Sequence, residues 1–111
     1  MYFADKKLKR CIESDAVRRK RFGLEMANKI NLRMEGLRAA RSLADFLPPY
    51  SGPERCHELK GDLKGVFSID LKHPYRLLFK PTENQQNEAY NLQDWGKIDE
   101  VMIVGIEDTH E

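Results

Sequence analysis

The hydrophobic pattern of this 111-residue chain changes its period at the proline-rich segment 48–53. Before that segment, apolar residues recur every three or four positions, which is the spacing of an amphipathic helix. After it, they alternate at every second position, which is the spacing of a strand with one buried face. Proline lacks an amide donor and restricts the residue before it, so the helical part ends there. Helices followed by strands predict an α+β domain, with two N-terminal helices packed on one face of a small, mainly antiparallel sheet.

The first predicted helix covers residues 5–13, where Asp5 is placed to cap the free amides of the first turn. The second covers residues 22–43 and packs its apolar stripe on the core. That stripe consists of Phe22, Met26, Ile30, Met34 and Leu37, with Lys29, Arg33 and Arg38 on the other faces. Residues 13–23 carry four consecutive basic residues, and we interpret them as a connector or a frayed helix.

Strands are predicted over residues 66–71 and 75–80, joined as an antiparallel hairpin. An earlier strand, 55–60, leads into the turn sequence GDLKG. The continuous apolar run 101–106 predicts a central strand covered on both faces. The remaining segments are a short edge strand or extended lead-in at residues 1–3 and a long loop over residues 81–96.

The length allows one hydrophobic core, so residues 1–111 are expected to form a single domain. No apolar run approaches the roughly 18 residues of a membrane span, and the first ten residues are charged where a signal peptide would be apolar. We therefore expect a cytoplasmic protein with no membrane partner. Cys11 and Cys56 are too far apart for metal-ligand spacing and are interpreted as reduced thiols without a chemical role.

A formal net charge of +1 conceals strong segregation along the chain. Residues 1–41 carry 12 basic against 5 acidic side chains, and residues 55–80 carry 6 against 3. Residues 81–111 carry one basic side chain against 8 acidic ones. Two basic blocks suggest a polyanionic partner, although solvated helix faces and loops would give the same pattern.

Familiar catalytic motifs are absent from the sequence: it has no glycine-rich phosphate loop, no nucleophile elbow and no zinc-ligand spacing. Candidate chemistry therefore falls on histidines and cations near strand ends. His57 precedes the LKGDLKG turn and His110 follows the last strand, whereas His73 beside Pro74 is interpreted as structural. A lone histidine is more often structural than catalytic, so both interpretations stay open.

Four cations fall within the predicted sheet: Lys60, Lys64, Arg76 and Lys80. Arg76 alternates with Tyr75, Leu77 and Phe79, so it points away from the helices if those three residues are core. A solvated sheet face would show the same alternation. What separates the two interpretations is whether these cations converge with the histidines.

The segment RCHELKGDLKGVFSIDLKHPYRLLF, residues 55–79, and the ending VGIEDTHE, residues 104–111, resemble the toxins of the RelE/ParE superfamily. The resemblance is to the HigB-type host-inhibition toxins, also called plasmid maintenance killer proteins. The opening FADKKLKR is similar to that of the same toxins, so the resemblance covers nearly the whole chain. It implies a RelE-like fold, with Thr109 standing where the family usually has tyrosine.

The resemblance implies a ribosome-dependent ribonuclease that cuts messenger RNA without metal or cofactor. Its partners would be the ribosome, mRNA and a helix-turn-helix, HigA-like antitoxin. In such a reaction a base takes the proton of the ribose 2′-hydroxyl, an acid protonates the departing 5′-oxygen, and cations stabilise the phosphoryl charge. The implied catalytic residues are His57, Arg76, Asp108 and His110, with Lys60, Lys64 and Lys80 binding the RNA phosphates.

Three alternatives stay open from the sequence. A ParE-like toxin would inhibit gyrase without cutting RNA, and a noncatalytic member of the fold would act by protein binding. A helical DNA reader built on residues 1–41 would require a helix-turn-helix pattern, which the sequence lacks. Which histidine is the acid and which the base is also undecided.

Overall fold

A five-stranded sheet forms the centre of the computed structural model, which describes residues 1–82 and 90–108. The strands are β1 (Tyr2–Phe3), β2 (His57–Glu58), β3 (Phe67–Asp70), β4 (Tyr75–Pro81) and β5 (Val101–Asp108). They lie in the order β1-β5-β4-β3-β2; β1 pairs with β5 in parallel, and the other neighbours pair antiparallel. The α+β class and the β3–β4 hairpin are confirmed. That residues 1–111 form a single domain stays a prediction.

Three α-helices lie in the first part of the chain: α1 (Lys6–Glu13), α2 (Asp15–Phe22) and α3 (Leu24–Ala39). Residues 13–23, interpreted as a connector or a frayed helix, contain the regular helix α2, so the first part of the chain has three α-helices rather than two. The Ser14 hydroxyl accepts the amide of Val17 at 3.3 Å and caps α2. Gly23, with φ of 80°, ends α2 in a backbone conformation that favours glycine and so separates it from α3.

Arg18 explains how the basic run forms a packed helix. Its side chain is buried, and its guanidinium donates to the carbonyl of Ile12 and pairs with Asp15. The last carbonyls of a helix lack intrahelical partners, so this contact satisfies one carbonyl at the end of α1. The three basic residues that follow stay exposed.

The helices pack on one face of the sheet, which we call the helix face. Its core residues are Phe67, Ile69, Leu77, Phe79 and Ile103, and none of them is exposed. Met26, Ile30 and Met34 of α3 belong to the same hydrophobic cluster. The predicted apolar stripe is thus confirmed as core, although α3 ends at Ala39 and Leu43–Phe46 form a separate 3-10 helix.

Two predictions for the acidic part of the chain need correction. β5 is paired on both sides but is not covered on both faces, since Val101 and Ile103 are buried while Met102 and Val104 are only half-buried. The predicted loop 81–96 includes part of a 3-10 helix, Leu92–Lys97, which buries Trp95 against Phe67 with ring centroids 5.2 Å apart. Residues 83–89 of that loop lie outside the described residues.

Arg33 is buried, although the helical pattern predicts it on a polar face. Its Nε donates to the Asp70 carbonyl at 2.9 Å, and its Nη2 donates to the Pro53 carbonyl at 3.3 Å. A buried guanidinium requires such partners, because an unpaired buried charge costs several kcal/mol. These bonds join α3 to the end of β3 and to the proline-rich segment. No helix in the described ranges is long and apolar enough to cross a bilayer.

We predict that Arg33→Met lowers the free energy of unfolding by about 2 to 4 kcal/mol, because two carbonyls lose their donors while the helix propensity hardly changes. Arg38→Met is the matched control on the same helix, since Arg38 forms an exposed ion pair with Glu13 at 3.4 Å. That change should cost at most about 1 kcal/mol. Urea unfolding measures both, and equal costs would show that the buried bonds do not stabilise the fold.

Candidate functional site

The strand register places three of the candidate residues, His57, Arg76 and Lys80, on the sheet face opposite the helices. Paired residues share a face, and every second residue along a strand returns to it. One row across the sheet runs His57, Ser68, Leu78 and Gly105, and the next runs Asp70, Arg76 and Glu107. Lys80 follows by alternation along β4. We call this surface the site face; it brings together His57, Arg76 and Lys80.

The site face is less exposed than the sequence predicts. His57 and Leu78 are each 2% exposed, and Ser68 is fully buried. Arg76, expected to point into solvent, keeps only 21% of its side chain exposed. The expectation that Arg76 faces solvent is therefore wrong, because most of its side chain is buried.

His57 is held from two directions. Its ring stacks on the ring of Tyr50, with centroids 3.9 Å apart and planes 16° from parallel. Its Nδ1 lies 2.7 Å from the carbonyl oxygen of Arg55. Because a carbonyl only accepts, Nδ1 carries the proton, and in the neutral ring Nε2 is then the basic nitrogen.

The loop that carries Tyr50 and Arg55 has an unusual backbone. Both residues have positive φ, 66° and 47°, and no other non-glycine residue within 1–82 and 90–108 does. The Tyr50 amide donates to the Cys56 carbonyl at 3.1 Å, which closes the loop. Such conformations cost about 1 to 3 kcal/mol each and persist where the surrounding structure holds them. Both strained residues contact His57.

Asp70 joins the cations of the site face. Its carboxylate lies 3.6 Å from Nε of Arg76 and 3.7 Å from Nη1 of Arg55. Its amide donates to the Glu54 carbonyl at 2.8 Å, and its carbonyl accepts from Arg33. The position of Arg76 therefore depends on Asp70, which in turn is fixed by α3.

Lys60 and Lys64 lie at the border of the sheet, in the turn around Gly61–Leu63, and both are exposed. Glu58 fixes this turn, because its carboxylate accepts the amide of Gly65 at 2.8 Å. The two lysines are near the end of β4 that carries Lys80, whereas Arg76 lies toward the other end. The structure thus spreads the predicted cations along the sheet.

Two predicted site residues are not placed with His57. Asp108 pairs with Tyr75, so the register puts it on the helix face rather than beside Arg76. His110 lies outside the described residues. His73, interpreted as structural, is exposed in the turn between β3 and β4.

Sequence reasoning missed the supporting residues Tyr50, Arg55 and Asp70. The alternation of polar and apolar residues could have placed Asp70 on the same face as Arg76. No periodic signal marks a loop residue such as Tyr50. Ser68 shares its register position with His57, and its buried hydroxyl has no hydrogen-bond partner in the described part of the chain.

Cys56 lies next to His57 but is not suited to nucleophilic chemistry. Burial raises the pKa of its thiol from 9.0 to about 12, and the nearby Glu54 carboxylate adds to the shift. Because the thiolate is the nucleophile, so high a pKa leaves the thiol inert near neutrality. Within residues 1–82 and 90–108, no three His, Cys, Asp or Glu side chains are grouped to hold a metal ion.

The chain thus carries N-terminal helices on one face of its sheet and His57, Arg76 and Lys80 on the other. Residues 1–93 match the family described as the RelE-like toxin of the type II toxin-antitoxin system HigB. The chain belongs to this HigB-like toxin family, and membership implies an antitoxin partner.

A solved structure agrees with this fold. The structure of a YoeB/ParE toxin from Agrobacterium tumefaciens matches with a TM-score of 0.55 over 99% of this chain and 100% of that one, at 15% sequence identity. At this identity the likeness shows the fold alone. No curated protein matches the sequence.

The raised pKa of Cys56 predicts a pH-dependent stability. The folded state holds the thiol proton more tightly than the unfolded state, so this contribution is complete below about pH 9 and is lost as the pH rises toward about 12. Between about pH 9 and about pH 10.5 we expect a loss of roughly 1 to 2 kcal/mol. Cys56→Ala should show a shallower decline in urea unfolding over this range, and parallel curves would contradict the assignment.

Proposed function

We propose that this toxin is a ribosome-dependent endoribonuclease that cuts translated mRNA by metal-free attack of the ribose 2′-hydroxyl. The observation that carries the proposal is the placement of a tautomerically fixed His57 on the same sheet face as Arg76 and Lys80. Membership of the HigB-like family supports it. Translated mRNA as the substrate implies a cytoplasmic site of action.

His57 is the base in this proposal. Nε2 is the nitrogen that takes the 2′-hydroxyl proton, since the Arg55 carbonyl holds the proton on Nδ1. His110 donates the proton to the departing 5′-oxygen. Asp108 lies across the sheet from Arg76, so its role would be limited to orienting His110.

The cations of the candidate site bind the RNA phosphates in this proposal. Arg76 binds the reacting phosphoryl group through a planar fork that lysine cannot reproduce. Lys80 lies four residues along the same strand, roughly 13 Å away in an extended chain, and meets a neighbouring phosphate. Lys60 and Lys64 hold the backbone of the RNA further out.

Dependence on the ribosome follows from the charges around Arg76. Asp70 and Glu107 flank it on the two neighbouring strands, so a phosphate entering the site competes with two carboxylates. Free RNA should therefore bind weakly. A ribosome that holds the message in place supplies the missing binding energy and the reactive geometry.

The antitoxin partner is proposed to be a helix-turn-helix, HigA-like protein. The exposed cations of α1 and α2 present a basic surface, which complements an acidic segment of such a partner. Exposed charge pairs are screened beyond about 8 to 10 Å at physiological ionic strength, so raised salt should weaken the complex.

A noncatalytic toxin that acts by protein binding is the second candidate. The observation that favours it is the burial of His57, which with its backbone hydrogen bond is also typical of a structural histidine. Gyrase inhibition belongs to this candidate, because it needs no proton transfer.

We expect induced expression to arrest bacterial growth and to create new 5′ ends on translated messages, while untranslated copies of the same messages stay intact. Mapping of 5′ ends on paired messages with and without a start codon measures this. Equal cutting of both copies would exclude ribosome dependence. Growth arrest without new 5′ ends would instead support the noncatalytic toxin. A DNA supercoiling assay would then test whether its target is gyrase.

We expect His57→Gln to slow single-turnover cleavage on programmed ribosomes by about 10² to 10⁴-fold, because glutamine cannot exchange a proton near neutrality. The same loss is expected for His110→Gln. Arg76→Lys should lose about tenfold or more, since a charge-assisted pair is replaced by a point charge.

His73→Gln is the matched control, because His73 is exposed in a turn away from the site face. Thermal unfolding of each variant checks that the fold is kept. If folded His57→Gln cleaves at the rate of the His73 control, His57 is not the base.

A further inference from the structure

Tyr50 and Arg55 form an exposed surface beside His57 that the cleavage reaction does not use. Tyr50 is 46% exposed, and the Arg55 side chain is 52% exposed. The guanidinium carbon of Arg55 lies 5.3 Å from the centroid of the Tyr50 ring. Exposed aromatic rings and guanidinium planes are the groups on which proteins stack unpaired RNA bases.

The surface formed by Tyr50 and Arg55 is more rigidly held than is usual in a loop. Both residues have left-handed backbones, and the Tyr50 amide is bonded to the Cys56 carbonyl. The Arg55 guanidinium is also paired with Asp70, at 3.7 Å. A stacking surface that is already ordered loses less entropy when a base binds to it.

The location ties this surface to the candidate base. Tyr50 stacks on His57, and the Arg55 guanidinium lies over the Tyr50 ring, so a base that joins this stack lies within one or two ring thicknesses of the imidazole. The ribose of that nucleotide, or of its neighbour, would then be close to the site face. A loop that only covered His57 would need no strained backbone. The strained backbones of Tyr50 and Arg55 therefore support a functional role for this surface.

We propose that Tyr50 and Arg55 form a stacking platform for an unpaired nucleobase of the message and thereby position the ribose for His57. This proposal rests on the proposed function. The platform determines which nucleotide is presented to the site. It binds bases through their π faces and discriminates by stacking strength rather than by hydrogen bonding.

The experiment uses ribosomes programmed with an mRNA that carries 2-aminopurine in the decoding site. A 2′-deoxy sugar at each position of that codon blocks the attack, so the fluorescence of the base reports stacking without cleavage. An all-ribose message in parallel reactions reports cleavage. The variants are Tyr50→Phe, which keeps the ring, and Tyr50→Leu, which still covers His57 but cannot stack.

We expect the wild-type protein and Tyr50→Phe to quench 2-aminopurine, and Tyr50→Leu to lose the quenching and about tenfold or more of the cleavage rate at subsaturating toxin. Part of that loss should persist at saturating toxin, because the platform also positions the ribose for His57. Tyr75→Leu is the matched control, because Tyr75 is also 46% exposed but projects from the helix face of its strand. It should quench like the wild type.

Arg55→Asn is the second variant, in case Tyr50→Leu does not fold. Asparagine tolerates positive φ and keeps the backbone carbonyl that holds His57, but it removes the guanidinium plane. We expect reduced quenching with an unchanged thermal unfolding midpoint within a few degrees. Full quenching by both folded variants, or none by the wild type, would overturn the platform.

The two proposals fail separately in this design. A wild-type protein that quenches the blocked message but does not cut the all-ribose one refutes the nuclease and supports the platform. A wild-type protein that cuts, with Tyr50→Leu equal to it in both readouts, refutes the platform and supports the nuclease.

Discussion

The buried guanidinium of Arg33 is the constraint on which the geometry of the site depends. It joins α3 to the carbonyls of Asp70 and Pro53, and so fixes the end of β3 against the loop that leads to Arg55. The carboxylate of Asp70 then holds Arg55 and Arg76. Because a buried charge that loses its partners is costly, α3 cannot shift against the sheet without a large loss of stability. Helix packing on one side of the sheet thereby sets the positions of the charges on the other.

The same carboxylate limits what the site can bind. Asp70 on β3 and Glu107 on β5 flank Arg76 on β4, so a phosphate that meets Arg76 also meets two carboxylates. Lys60 and Lys64 lie at the border of the site face and are exposed, where salt screens them. Under the proposed function, a message delivered by the ribosome would overcome this repulsion, whereas free RNA would not.

The sequence was sufficient for the class of fold and for the main strand pairs, because hydrophobic period and turn residues are local signals. It failed where a polar side chain turns inward. The pattern places Arg18 in a connector or frayed helix and Arg33 on a polar helix face, yet both are buried and donate hydrogen bonds to carbonyls. Partners distant in sequence, such as Asp70, cannot be predicted from hydrophobic periodicity. For the candidate site, alternation along β4 placed Arg76 on the sheet face opposite the helices, as the register shows. It could not reveal Tyr50, whose position depends on a loop backbone that no pattern specifies.

Burial of His57 is compatible with the proposed proton transfer, because the Tyr50 stack and the Arg55 carbonyl act on the flat face and on Nδ1 of its ring. Tyr50 covers the flat face of the imidazole, whereas a proton enters and leaves in the plane of the ring. The Arg55 carbonyl binds Nδ1–H, which fixes the tautomer and prevents the ring from flipping without the loss of a 2.7 Å hydrogen bond. A ring held in this way has lost its rotational freedom before a substrate arrives, and such ordering is what lowers the entropic part of a reaction barrier. In the proposed reaction, the stack and the carbonyl would therefore hold the imidazole so that Nε2 exchanges the proton.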